Sequence, residues 1–269
     1  MATKRVNETG VQTGFSFSKY SGSGSSMADV HYHPNHELYY MLEGKGKYFI
    51  GNSTYEIAPG DLIVIPSRVI HRTIYNGAYR RRLLINCSSA YIPEEVFRAV
   101  ADAPRIIRSA ELSPEIERYF RLIEKEYHSD DPYASAMVRS YVNQLYVLIA
   151  RSESSTKVEE VTTDIVAFAL SQIKENYADR ITLEDMARRC SVSVSHLSKI
   201  FKAETGLGFS DYLSTLRLER AEVLLRDNKD LSVTEVAFAC GFNDSNYFSD
   251  KFKKHFGMSP LKFKKKAKE

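Results

Sequence analysis

The chain has 269 residues, of which 43 % are hydrophobic and 26 % charged. Those are the proportions of a soluble globular protein, and they exclude a disordered chain, a collagen and a disulfide scaffold. The net charge of +3 says little about partners, and the length suggests two domains at about 150 residues each. Cys87, Cys190 and Cys240 lie far apart with no CxxC pair, so they read as reduced thiols. No apolar run approaches the roughly 18 residues of a membrane helix. Met1 to Gly10 lacks the apolar core of a signal peptide. The expectation is a cytoplasmic protein with no membrane partner.

Up to about residue 90 the apolar pattern has the period of two that belongs to strands. The flexible Ser21-Gly22-Ser23-Gly24-Ser25-Ser26 reads as a loop. Short strands are expected at Tyr48 to Ile50, Thr54 to Ile57, Leu62 to Ile65 and Leu83 to Ile85, with turns at Gly51-Asn52, Pro59-Gly60-Asp61 and Asn76-Gly77. Strands at intervals of about ten residues suggest a sandwich or small barrel. Within this half, His31-Tyr32-His33-Pro34-Asn35-His36-Glu37 is the densest chemical cluster. His31 and His33 alternate onto one strand face. Glu37 opens a strand whose same face carries Tyr39 and Met41, and the face of His71 continues through Thr73 and Tyr75. His31, His33, Glu37 and His71 are N and O donors that suit a divalent transition metal. The same groups would equally hold a small polar ligand, with Tyr39 or Tyr75 stacking on it, or simply hydrogen-bond to one another in a barrel mouth.

After residue 90 the period becomes helical. Pro93-Glu94-Glu95 reads as a first turn, and Ser113-Pro114 as an N-cap followed by Pro at the first helical position. A helix of about 20 residues begins at Asp131-Pro132, with a wide stripe through Met137, Val138, Tyr141, Val142, Leu145, Leu148 and Ile149. That stripe suits the barrel alone, or the barrel and a partner subunit. Ser152 to Glu160 is polar and reads as a linker.

From Thr163 onward everything reads as helix, with caps at Thr182, Ser193, Ser232 (a capping box with Glu235) and Asn243 or Asp244, and stops at Gly206 and Gly257. Two stretches, Leu183 to Gly206 and Val233 to Gly257, repeat a short helix, a turn and a second helix. Leu197, Phe201 and Gly206 recur as Phe248, Phe252 and Gly257, an offset of 51. This is the helix-turn-helix pattern, twice. The apolar pairs are core, so the opposite faces are solvent-facing. In the first unit that face carries Ser195, Ser198, Lys199 and Lys202. In the second it carries Ser245, Asn246, Ser249, Asp250 and Lys253. Short polar side chains backed by lysines suit base edges and phosphates of double-stranded DNA. Eight lysines and no acidic residue between Lys251 and Lys268 strengthen that reading.

Residues from about 165 to 266 resemble the DNA-binding domain of AraC-type bacterial transcription regulators. The resemblance rests on Val236 to Phe242, Asn246 to Ser249 and Phe252 to Pro260. In the first unit it rests on Leu197, Phe201-Lys202, Glu204-Thr205-Gly206, Tyr212 and Leu216-Arg217-Leu218. Asp250 stands where many members of that family carry a basic base-reading residue. The N-terminal half resembles the cupin barrel through His31, His33, Glu37 and Gly44, then Gly60, Pro66 and His71. It departs from that pattern at Ser25 (Gly24 is one place off), Arg68 and Tyr75. The resemblance implies an α+β protein with three parts: a cupin-like ligand-sensing domain (1–100), a helical connector for dimerisation with its linker (101–158), and an all-α double helix-turn-helix domain (159–269). It also implies a cytoplasmic, non-enzymatic DNA-binding regulator, more an activator than a repressor. Such a regulator responds to a small effector such as a saccharide, forms a homodimer, engages RNA polymerase and requires no cofactor. A metal-dependent cupin enzyme fused to a DNA-binding domain is the alternative, and a constitutive architectural DNA binder a second one.

Overall fold

The computed structural model describes residues 14–25, 31–51, 53–101, 104–152, 162–228 and 230–266. Apart from residues 29–31, the chain divides into two compact units between Val161 and Thr162. The expected linker Ser152 to Glu160 lies, beyond Ser152, outside the described residues.

The first unit is a pair of facing sheets backed by helices. One sheet has the order β1-β7-β2-β5-β8, from Phe15–Ser25 (β1), Asn76–Cys87 (β7), His36–Glu43 (β2), Leu62–Ile65 (β5) and Arg105–Ile107 (β8). The other has the order β4-β3-β6, from Ser53–Ile57 (β4), Gly46–Ile50 (β3) and His71–Ile74 (β6). Every pairing is antiparallel. Tyr39, Met41, Tyr48, Ile50, Ile63, Ile65 and Leu84 fill the space between the sheets. Their strand neighbours Leu38, Tyr40, Leu62, Val64, Leu83 and Ile85 pack on the other side against three helices, Glu94–Ala101 (α1), Ser113–Tyr127 (α2) and Ala134–Arg151 (α3). The large sheet is thus buried on both faces, so β2 and β5 carry continuous apolar runs rather than alternation.

Four local expectations are corrected. Ser21 to Ser25 is not a loop: it continues β1, with Ser21, Gly22 and Ser23 opposite Arg81, Arg80 and Tyr79. A long partner strand supplies the ladder that the local composition does not favour. Asn76-Gly77 is not a turn between strands but the start of β7, where the register slips between Ser23 and Ser25 and Gly77 has φ +76°, as in a bulge. Ser113 does not cap α2. The N-cap residue is Leu112, and the Ser113 hydroxyl is spent on the Tyr40 hydroxyl 2.6 Å away. His31 occupies an isolated bridge and His33 no strand at all.

The second unit is all helix: Asp164–Asn176 (α4), Leu183–Arg189 (α5), Val194–Thr205 (α6), Phe209–Asp227 (α7), Val233–Ala239 (α8), Ser245–Phe256 (α9) and Pro260–Lys266 (α10). The caps fall at Thr163, Thr182, Ser193, Ser232 and Asp244, each side chain accepting from a backbone N–H, and Ser232 and Glu235 form the full capping box. Both buried cysteines, Cys87 and Cys240, are free thiols, with pKa values that burial pushes up to about 12 and about 11.

Candidate functional site

Two arrangements merit the name. The first is the pair of second helices. The helices α6 and α9 each have 12 residues and begin and end 51 positions apart. The short helices before them, α5 and α8, each have seven. The turns close with the same bond, Val192 N–H donating to Ala187 O and Phe242 N–H to Ala237 O, both at 3.0 Å, but the second turn is one residue longer, with five residues between α8 and α9 against four between α5 and α6. Gly206 and Gly257 end α6 and α9 with φ +76° and +73°, closing each helix with a left-handed residue. Leu197, Phe201, Phe248 and Phe252 are fully buried. Their opposite faces are therefore fixed outward. Ser195, Ser198, Lys199 and Lys202 are exposed on α6. On α9 Asn246, Asp250 and Lys253 are exposed, with Ser245 and Ser249 half-buried.

Sequence reasoning missed one matched pair. His196 and Tyr247, 51 apart, sit at the third position of their helices, both exposed, and Tyr247 is 53 % exposed with Lys251 Nζ 5.4 Å from its ring centroid. The repeat offset was the signal that could have found it. Lys264 belongs to the run of eight lysines read as phosphate-facing, but it is buried, and its ammonium donates to Leu231 O.

The second arrangement lies between the sheets of the first unit. Glu37, 3 % exposed, is held at one end. The Tyr48 hydroxyl donates to its Oε1 at 2.7 Å, while His33 Nε2 and His71 Nε2 stand 3.2 and 3.6 Å from Oε2. On the far side of each ring, Nδ1 donates to a carbonyl, Asn35 O at 2.9 Å and Val69 O at 2.7 Å. That fixes both Nε2 atoms toward the carboxylate and calls for a proton or a cation between them. Burial would raise the Glu37 pKa, but the His71 charge and the hydrogen bonds of both histidines hold it well below the usual value. Burial would lower His33, but the Glu37 bond and charge outweigh it and the pKa is raised. Each group thus favours the charged form of the other. His36 is pushed down to about 4 by burial and by His33, and stays neutral.

His31, His33 and His71 each offer a ligand atom within 4.8 Å of the others. Imidazole nitrogens beside a carboxylate match a divalent transition metal in type. Tyr39 and Tyr75 lie deeper: their hydroxyls bond to each other, and both approach Met41 Sδ. Arg68, where cupins carry glycine, still adopts φ +62°, and its N–H donates to His33 O at 2.8 Å. The turn geometry thus survives the loss of the residue that favours it.

Comparison with known proteins follows these two arrangements. A helix-turn-helix domain family matches residues 186–266, and a cupin domain family matches residues 22–84. The Msm operon regulatory protein of Streptococcus mutans is 28 % identical over 86 % of this chain and 84 % of its own length. The HTH-type transcriptional activator RhaS of Escherichia coli is 25 % identical over 86 % and 85 %. Among solved structures, the C-terminal domain of a two-component response regulator from Fusobacterium nucleatum is 34 % identical. It covers 38 % of this chain and 99 % of its own, with a TM-score of 0.36. Among the described residues no helix is long and apolar enough to cross a membrane.

Proposed function

Because the chain belongs to the AraC-type DNA-binding transcription regulators and carries a cupin domain ahead of the helix-turn-helix pair, we propose that it is a cytoplasmic, ligand-responsive activator. The observation that carries this reading is the positional match of α6 and α9, equal in length, capped and stopped at equivalent positions, each with a buried apolar pair and a polar face. In this reading each helix enters a major groove, the two grooves lie about one turn apart, and the site spans about 20 base pairs. Asn246 pairs with adenine and Lys199 with guanine. The serines supply further base-edge bonds, Lys202 and Lys253 hold phosphates, and Asp250 accepts from a cytosine amine. Activation, the activity named for the E. coli relative, involves contact with RNA polymerase. The protein acts as a homodimer and performs no catalysis.

The barrel is the sensor in this reading. A small polar effector such as a saccharide is bound by His31, His33, Glu37 and His71, with Tyr39 and Tyr75 beneath. No cofactor is required in this reading. A second reading follows from the three histidine donors: a divalent metal on His31, His33 and His71 beside Glu37, supplying Lewis-acid coordination to an effector oxygen. Metal content of freshly purified untagged protein, beside a His31→Ala, His33→Ala variant, separates the two.

The test of the DNA reading is a binding titration on a DNA site selected from a random library. Lys199→Ala with Asn246→Ala is expected to weaken specific binding at least about 30-fold, on the scale of about 1–3 kcal/mol per base contact. Equal binding by the double variant overturns the contact assignment. For the sensor, a saccharide panel is expected to raise the melting temperature of the wild type more than that of Glu37→Ala; no shift with any ligand overturns it.

A further inference from the structure

The polar groups around Glu37 extend sideways across the large sheet. Glu37 on β2 stands opposite Asn86 on β7, and Asn86 stands opposite Ser16 on β1. Directly opposed residues of antiparallel strands share one face of the sheet, with Cβ atoms about 4.5–5.5 Å apart. That face is the inner one. Leu84, two places from Asn86, fills the space between the sheets, whereas Ile85 and Cys87 pack toward the helices. Phe15 and Phe17 also pack toward the helices, which leaves Ser16 between them on the inner face. Three polar residues thus lie side by side, Ser16, Asn86 and Glu37, running inward from the edge strand β1. Ser16 and Asn86 are half-buried and Glu37 is buried.

The three differ in how they are satisfied. Glu37 is held by Tyr48 and the two histidines. Asn86 is not held: its Oδ1 is shielded from solvent and accepts no hydrogen bond among the described residues. A buried amide oxygen without a partner costs free energy that an apolar side chain of the same shape does not. Such a group in a native fold calls for a partner from outside the protein. That partner must donate, because Oδ1 only accepts. It is not an anion, because the Glu37 carboxylate stands one strand away and like charges repel strongly where polarity is low. A hydroxyl meets both conditions, and a second hydroxyl on the neighbouring carbon fits the Asn86 amide N–H or the Ser16 hydroxyl. We propose that Asn86, with Ser16 beside it, sets the specificity of the effector site, and that it takes adjacent hydroxyls of a neutral saccharide in preference to a charged one. The inference rests on the reading of the barrel as the sensor, and gives its effector a charge state and a point of recognition.

Full-length protein is titrated by calorimetry and thermal melting with glucose, galactose, mannose, xylose and lactose, and with the uronates, 6-phosphates and 2-amino forms of the three hexoses. At least one neutral sugar is expected to bind the wild type, and to bind Asn86→Leu about tenfold or more weakly. Ser16→Ala is expected to lose a smaller part of the affinity. Without ligand, Asn86→Leu is expected to melt no lower than the wild type, because the unpartnered amide is gone; a purely structural asparagine would give a lower melting temperature. Asn86→Ala carries the binding comparison if Asn86→Leu does not melt cooperatively. Undiminished sugar binding by the Asn86 variant, or a fall of several degrees in the melting of both variants, overturns the proposal and leaves the sensor reading standing. So does a uronate, phosphate or amino sugar that binds more tightly than its neutral parent. Silence from the whole panel overturns both.

Discussion

Single residues hold several of this protein's less expected properties. Glu219, on the long helix α7, is half-buried, and its Oε1, shielded from solvent, accepts no hydrogen bond. Burial raises its pKa to about 8, against a small opposing effect of Arg220 and with a further push from Glu222. A carboxyl whose folded pKa lies above its unfolded value binds a proton on folding. Stability therefore falls as pH rises from about 4.5 to about 8, then levels. Glu219→Gln is expected to melt like the wild type at pH 5 and several degrees higher at pH 8. Parallel melting curves for the two proteins across that range would contradict the account. At the barrel end, Tyr48→Phe removes the 2.7 Å bond to the buried Glu37 carboxylate. It should cost about 1–3 kcal/mol in chemical denaturation, the cost of a lost bond to a charged group.

At the scale of elements, the two helix-turn-helix units share one design, and the residue that opens each turn differs informatively. The turn residue is Ser191 in the first unit, at φ +56°, and Gly241 in the second, at φ +81°. A Cβ at Gly241 would come 2.6 Å from Ala178 O, while one at Gly257 would meet nothing within 4 Å. Gly241→Ala should therefore cost more than Gly257→Ala, at least about 2 kcal/mol against about 1. Ser191→Gly should be neutral or stabilising by up to about 1 kcal/mol, because relief of the left-handed strain offsets the added chain entropy. Urea denaturation of the four proteins checks the order, and a Gly257→Ala loss exceeding that of Gly241→Ala would refute it. These helices were legible because caps, stops and apolar spacing are local and occur twice. The barrel was less so. β8 is three residues long, too short to carry a pattern. The serine-glycine end of β1 is a strand only because β7 runs beside it. Asn86 faces inward because β7 presents alternate residues to each face, and its direction is set by the packing of Leu84 two places before it, a long-range fact. The histidine and glutamate cluster was legible by type, but its true pairing, His33 and His71 on one Glu37 oxygen with Tyr48 on the other, depends on strands far apart in sequence.

For the whole molecule, the claim is that one chain joins a barrel that binds a small effector to two DNA-reading helices. The basic character of α9 and α10, with Lys251, Lys253, Lys254, Lys262, Lys265 and Lys266 outside the core, makes the affinity salt-sensitive. Raising salt from 50 to 200 mM should lower the DNA association constant by about 10³-fold or more if six or so phosphates are neutralised. The measurement that tests the account most directly is a base-resolved binding profile of the full-length protein on selected DNA. It would be repeated with Ser198→Ala, Lys199→Ala in α6 and with Asn246→Ala, Ser249→Ala in α9. The account predicts two blocks of preferred bases about 10 base pairs apart, one lost with the α6 variant and the other with the α9 variant. A single block, or loss of the same bases in both variants, would contradict it.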